Sequence, residues 1–281
     1  MNYQELLVDA SKQLKFNKLN SAKLDAELIL SKTLGLSREK ILLNLNEKIN
    51  DEVLEKFNYF LKLRKQNRPI AYILGFKDFW KYKFQVDKNV LIPRPETEII
   101  IEQALKNLPK LSKKNILDIG TGSGCIIISI IKERENCKAT AIDKSLKALK
   151  VAKLNAEMHH VQKKIKFLNI DVDKYSANKY DLIVSNPPYI KNSELLSLNE
   201  DIKFNEPKLA LLGGCSGLEI FFRIVKKSKK LLKRNGKLIL EIGHDQKDKV
   251  ISILKKEGFY INDILRDLAK NYRCIVSTKI N

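Results

Sequence analysis

Two short stretches of this chain combine residue types and spacings suited to chemistry. The first, Ile116-Leu-Asp-Ile-Gly-Thr-Gly-Ser-Gly124, is an apolar run that leads into three alternate glycines and then a second apolar run. Read as strand, turn and helix, it lets a ligand pass close over the backbone at Gly120, Thr121, Gly122, Ser123 and Gly124 and aims N–H groups at it. The dinucleotide fingerprint needs glycine where Cys125 stands, and the phosphate-loop Lys-Ser/Thr pair is absent, so phosphate binding is disfavoured. Asp143, 19 residues after Gly124 at the end of the next apolar strand, is placed to accept hydrogen bonds from both hydroxyls of a ribose. Asp118 adds a further acid near the same loop. An acidic site of this kind suits a cationic sulfonium cofactor better than a pyrophosphate.

The second stretch is Asn186-Pro187-Pro188-Tyr189, directly after the apolar strand Asp181 to Ser185. Open α/β sheets place ligands at this carboxyl end of a strand. A planar nitrogen, in a carboxamide or an exocyclic base amine, has a delocalised lone pair and is a poor nucleophile. If the Asn186 side-chain oxygen and the Pro187 carbonyl each accept one N–H, that nitrogen is held with its lone pair toward an incoming methyl. The two prolines stiffen the carbonyl through their locked φ angles, and Tyr189 offers a flat face for stacking. Methyl transfer by in-line displacement needs such positioning and no strong base.

Positioning these stretches requires a particular set of elements. Residues 1–69 show no strand alternation and carry apolar residues at helical spacing, such as Leu6, Leu7, Ala10 and Leu14, which predicts a small helical domain closed by Pro69. Ser21 and Gly35 bracket one helix, and Asn50 or Asp51 caps another. Residues 70–92 turn aromatic and β-branched and read as a hairpin-like connector, with Phe79 and Trp80 expected in interdomain packing. From residue 93 to 281 short apolar strands alternate with helices, which predicts a parallel sheet covered on both faces, with residues 260–266 and 273–278 as an antiparallel edge hairpin.

Composition bounds the remaining classes. The chain has 281 residues and a formal charge of +20, but 44 of its 53 basic residues are Lys, alongside 32 Ile and 23 Asn. That is the residue trio of an AT-rich genome, whereas surfaces built for phosphate favour the Arg fork, so the charge is read as largely compositional and nucleic acid as not required. Cys125, Cys137, Cys215 and Cys274 form no CxxC pair and no His lies at ligand spacing, which predicts neither disulfides nor a metal site and fits a reducing cytoplasm. No apolar run is long enough to span a bilayer, and the acidic start MNYQELLVDA is unlike an export signal. His159 and His160 are expected to be solvated, and the Lys226 to Lys230 run to be the wet face of a helix.

The paired motifs resemble the class I S-adenosylmethionine-dependent amino-methyltransferases, which act on DNA adenine, RNA guanine or protein glutamine. Further stretches narrow the choice. Val90-Leu-Ile-Pro-Arg-Pro-Glu-Thr-Glu98, preceded by Tyr72-Ile-Leu-Gly-Phe, resembles the signature of the peptide chain release factor glutamine N5-methyltransferases. Glu206-Pro-Lys-Leu-Ala-Leu-Leu-Gly-Gly214 with Gly217-Leu218, and Asp267-Leu-Ala with Tyr272-Arg273, are similar to that family's later loop and last strand pair. The resemblance covers essentially the whole chain. It implies an α/β protein: a Rossmann-like domain with a seven-stranded, mostly parallel sheet, preceded by a small all-α domain that docks the substrate protein. It implies a monomer that binds S-adenosyl-L-methionine and methylates the Gly-Gly-Gln glutamine of class I peptide chain release factors. Gly120 to Gly124 and Asp143 would hold the methionine part and the ribose, and Asp171 and Val172 would lie by the adenine, with Val172 where the family often has Trp. Asn186, Pro187, Pro188 and Tyr189 would hold the substrate amide. Ser216 and Lys270 depart from the family's commoner acid and glycine. A nucleic-acid amino-methyltransferase and a ribosomal-protein glutamine methyltransferase are the alternatives.

Overall fold

The computed structural model describes residues 1–176 and 179–280. By internal contacts the chain forms two units, Met1–Phe76 with Asn199–Asn205, and Lys77–Leu198 with Glu206–Asn281. The first elements are helices α1 (Tyr3–Phe16), α2 (Ala22–Leu34), α3 (Arg38–Leu43), α4 (Asp51–Lys65) and α5 (Ile70–Leu74). There follow β1 (Phe76–Phe79), β2 (Tyr82–Gln85), α6 (Glu98–Asn107), β3 (Asn115–Ile119), α7 (Cys125–Glu133), β4 (Lys138–Asp143), α8 (Leu146–Met158), β5 (Ile165–Asn169) and β6 (Tyr180–Ser185). The chain continues through β7 (Ile190–Lys191), α9 (Glu200–Asn205), α10 (Lys208–Leu211) and β8 (Leu212–Gly214). It ends with α11 (Glu219–Leu231), β9 (Leu232–Glu241), α12 (Lys247–Lys256), β10 (Phe259–Arg266) and β11 (Tyr272–Lys279).

In the helical unit the caps follow from residue type. The side chains of Asn2, Ser37 and Asn50 accept from the backbone N–H groups of Glu5, Lys40 and Val53. Ser21 precedes α2, yet its hydroxyl donates to Asp25 at 2.9 Å and caps no backbone group. Gly35 ends α2 in the left-handed conformation. Pro69 leads into α5 and does not close the helical segment, since its locked φ is compatible with entering a helix. Apolar faces spaced by three and four bury Leu6, Ala10, Leu14, Ile29, Phe57 and Leu61 in one core.

The larger unit is built on a seven-stranded sheet of order β10-β11-β9-β6-β3-β4-β5. Pairing is parallel from β9 through β5, and β11 runs antiparallel to both of its neighbours. Continuous apolar strands are required here because successive residues feed opposite covered faces. Leu182 and Val184 enter one core with α7, and Ile183 enters the other with α11 and α12. From β3 the chain moves outward to β4 and β5, and then β6 returns on the other side of β3. The carboxyl ends of β3 and β6 therefore flank the point where strand order reverses. Phe79 is buried within this unit's own core beside Phe84, and Trp80 packs on the same cluster. His159 is not simply solvated: its ring tilts against Tyr82 and Phe84, and Nε2 lies 2.8 Å from the Lys83 carbonyl.

Candidate active site

The loop after β3 is shaped by three glycines with positive φ, 75° at Gly120, 56° at Gly122 and 81° at Gly124. They do different work. A Cβ added at Gly120 or Gly122 would meet no protein atom within 4 Å, so both face open space. At Gly124 it would sit 2.9 Å from Ile128 Cδ1 and 3.3 Å from the Ala152 Cβ, so this glycine lets the start of α7 pack against α8. The loop is pinned from below and from the side. Thr121 Oγ1 donates to Asp118 at 2.7 Å, and the N–H groups of Gly122 and Ser145 donate to the two oxygens of Asp143 at 3.0 and 2.8 Å. Gly124→Ala is therefore expected to cost stability, about 1–2 kcal/mol for the left-handed backbone alone, with the loop's ligand contacts kept. Thermal unfolding with and without cofactor checks it: a lower Tm with an undiminished ligand-induced rise.

A cavity of about 170 Å³ opens over this loop, lined by Gly120 to Ser123, Asp143, Asp171, Val172 and Asn186 to Pro188. Burial raises the Asp143 carboxyl above the usual range, against the lowering effect of the Ser145 and Gly122 N–H groups and Lys144. Asp118 is fully buried beneath the loop, and burial pushes it up to about 7. It supports Thr121 and does not line the cavity. Asp171 forms an ion pair with Arg223, which also pairs with Asp173. Burial would raise the Asp171 carboxyl, but hydrogen bonds from the Asp173 N–H and Arg223 hold it below the usual range. Arg94, Lys144 and Arg223 share the wall with the two acids, so the cavity is of mixed charge where the sequence had implied an acidic one.

Asn186 follows β6 directly. Its Nδ2 donates to Thr97 Oγ1 at 3.1 Å, which leaves Oδ1 and the Pro187 carbonyl with no hydrogen bond among the described residues. Tyr189 does not line the cavity. Its hydroxyl lies 3.4 Å from Glu241 Oε1, and burial raises its pKa. The flat stacking face read from the sequence is thus held against the apolar layer beneath the cavity. The later loop buttresses this turn: β7 pairs with β8, and a Cβ at Gly213 would approach the Pro188 carbonyl to 2.7 Å.

The chain is similar throughout to known proteins. A family model described as the methyltransferase small domain matches residues 98–202, and one described as the PrmC N-terminal domain matches residues 5–75. A release factor glutamine methyltransferase of Clostridium botulinum is 37% identical over 282 residues, covering 99% of this chain and 100% of that protein. The chain belongs to the release factor glutamine methyltransferase family. A bifunctional methyltransferase of Rickettsia typhi is 37% identical over 297 residues, and the chain spans 57% of that relative's length. Among solved structures, a ribosomal protein L11 methylase from Lactobacillus delbrueckii shares the fold, with a TM-score of 0.52 at 18% identity over 70% of this chain and 84% of that one.

In this member of the release factor glutamine methyltransferase family, several site residues carry no local sequence signal. Asn155 of α8, fully buried, donates to the Ser123 carbonyl at 2.9 Å and exchanges two hydrogen bonds with Gln85, joining the loop to β2. Gln246 donates to the carbonyls of Tyr189 and Gly217 at 3.0 and 3.2 Å. Glu206 pairs with Arg94 and accepts from the Ile92 N–H at 3.2 Å, fixing the segment that carries Thr97. Ser216, in place of the commoner acid, is held by Glu219 through its N–H and its hydroxyl, and Lys270 takes the left-handed φ of 66° that glycine adopts without cost. Among the described residues no metal-ligating cluster is found, and no helix is long and apolar enough to cross a membrane.

Proposed function

We propose that this chain transfers a methyl group from S-adenosyl-L-methionine to the side-chain amide nitrogen of the glutamine in the Gly-Gly-Gln loop of class I release factors. The observation that carries this reading is the Asn186 carboxamide. Its NH2 is spent on Thr97, which leaves its oxygen and the Pro187 carbonyl without a hydrogen bond among the described residues, on a turn that borders the cavity beside the glycine loop. Two acceptors on one rigid turn match the two N–H groups of a primary amide. They orient the nitrogen and withdraw no proton before transfer, so the turn acts through position and electrostatics.

The residues of the loop fit the cofactor. Gly120 and Gly122 leave the space above the backbone free of side chain, as a ligand lying against it needs. Asp143 keeps acceptor capacity on both oxygens for ribose hydroxyls, and Asp171 with Val172 would border the base. When bound, the cofactor supplies the electrophilic methyl and leaves as the thioether. The reacted nitrogen then sheds its proton to solvent. The chain would act as a monomer, and a reaction on a release factor would take place in the cytoplasm. Residues 1–69 would dock the folded release factor, since a three-residue loop offers little area for recognition.

Labelled cofactor offered in parallel to purified release factor, ribosomal protein and structured nucleic acid tests the substrate class. Label is expected in the release factor; incorporation confined to nucleic acid or ribosomal protein would select one of the two alternatives.

A further inference from the structure

The acid expected beside the adenine is held by a basic residue that the sequence did not single out. Arg223 of α11 pairs with Asp171 through Nη2 and with Asp173 through Nε, the latter at 2.6 Å. Lys227, one turn further along the same helix, donates to the Asp173 carbonyl at 2.8 Å. Two cations of one helix face therefore grip the short turn Val172–Lys174 that follows β5. Asp171 and Arg223 both line the cavity, together with Val172, Ile220 and Ile224, whereas Asp173 does not.

The fork makes the two oxygens of Asp171 unlike. Oδ1 accepts from the Asp173 N–H at 3.0 Å and from Arg223, and Oδ2 has no hydrogen bond among the described residues. An aspartate carboxylate otherwise turns readily about its last torsion. Here a turn would break the backbone bond and the charge-assisted bond together, so one free acceptor is left in a fixed direction.

A fixed acceptor distinguishes two classes of purine. The 6-amino edge of adenine offers an N–H beside a bare N1, whereas a 6-oxo purine offers a carbonyl oxygen beside an N1–H. The locked oxygen meets the first with a hydrogen bond and the second with an opposed lone pair. A carboxylate free to turn can follow the donor to N1 and accept either base. Val172 offers no ring for the base to stack on, and stacking in any case tolerates every base, so selection falls to the edge.

We propose that Arg223 is a positioning residue that fixes Asp171 as a directional acceptor and thereby restricts the cofactor to a 6-amino purine. This rests on the proposed place of Asp171 beside the base and extends it to a residue of α11 and to base selectivity.

The test is the Kd of S-adenosylhomocysteine and of S-inosylhomocysteine, measured by calorimetry on the full chain and on Arg223→Ala, Asp173→Ala and Asp171→Ala. The unsubstituted protein should prefer the adenosyl compound on the order of 10²-fold, as for a lost hydrogen bond to a charged group. Arg223→Ala should weaken the adenosyl compound only about tenfold and bind the inosyl compound no more weakly than before, bringing the preference to within about threefold of unity. Asp173→Ala removes the outer arm of the fork without touching the cavity and should leave an intermediate preference of roughly tenfold. The double variant of Asp171 and Arg223 should show the same preference as Asp171→Ala, because the two residues act in series. If Arg223 served only to tie α11 to the turn, both compounds would weaken alike. An undiminished preference in Arg223→Ala, or in Asp173→Ala should Arg223→Ala fold poorly, would overturn the proposal. An undiminished preference in Asp171→Ala, or none in the unsubstituted protein, would instead overturn the place of Asp171 beside the base, which separates failure of the underlying reading from failure of this one.

Discussion

Asn186→Ala is expected to lower kcat on the order of 10³-fold while leaving cofactor affinity nearly intact. The side chain borders the cavity at the carboxyl end of β6, and among the described residues it hydrogen-bonds to Thr97 and not to the glycine loop. Truncation removes one of the two acceptors that would fix the substrate nitrogen, and the amide then rotates among orientations in which its lone pair misses the methyl. The loss should appear in single-turnover rates, with the cofactor Kd measured separately by calorimetry. A variant that lost cofactor binding but kept its single-turnover rate would reverse the assignment. Asn186→Asp is informative in the same assay: it keeps an acceptor oxygen but brings a charge beside a cavity wall already holding Asp143, so it should recover little.

Asp143→Ala is expected to act on the other partner, weakening cofactor binding on the order of 10³-fold, as for two hydrogen bonds to a charged group at about 1.5–3 kcal/mol each. The same carboxylate also accepts from the N–H groups of Gly122 and Ser145, so truncation loosens the loop as well. Asp143→Asn keeps one acceptor and should fall between the two. The pH dependence has a definite sign. Burial raises this carboxyl above the usual range, so affinity, which needs the ionised form, should decline on acidification at a higher pH than for an ordinary aspartate. Titration calorimetry across the acidic range measures it, and a pH-independent Kd would argue against ribose contact by Asp143.

How far the site could be read from sequence depended on whether its parts were contiguous. The glycine loop and Asn186 to Tyr189 each lie within one strand-to-helix or strand-to-turn segment, so their residue types alone carried their geometry. The alternation of apolar strands and helices likewise implied a doubly covered sheet, and β3, β6, β10 and β11 fall on stretches named from the sequence, apart from terminal residues. What the sequence could not express were hydrogen bonds closed only by the fold. Thr97 and Asn186 are separated by 89 positions, and Tyr189 and Glu241 by 52. The mixed charge of the cavity arises in the same way, because Arg94, Lys144 and Arg223 arrive from three separate elements. Helix α6 was not among the elements read from the sequence; the three residues from Pro95 form a tight turn that leads straight into it. Gly124 shows the converse limit: it belongs to the motif by spacing, yet packing of α7 on α8 determines its role.

The proposed reaction fixes the methyl to a single atom, and fragment mass spectrometry of the release factor after incubation with this protein and S-adenosyl-L-methionine tests it most directly. The expected result is one added methyl on the side-chain amide of the Gly-Gly-Gln glutamine, absent when that glutamine is replaced by Ala and nearly absent with Asn186→Ala. Methylation at any other residue, or methylation that persists after the glutamine is replaced, would contradict it.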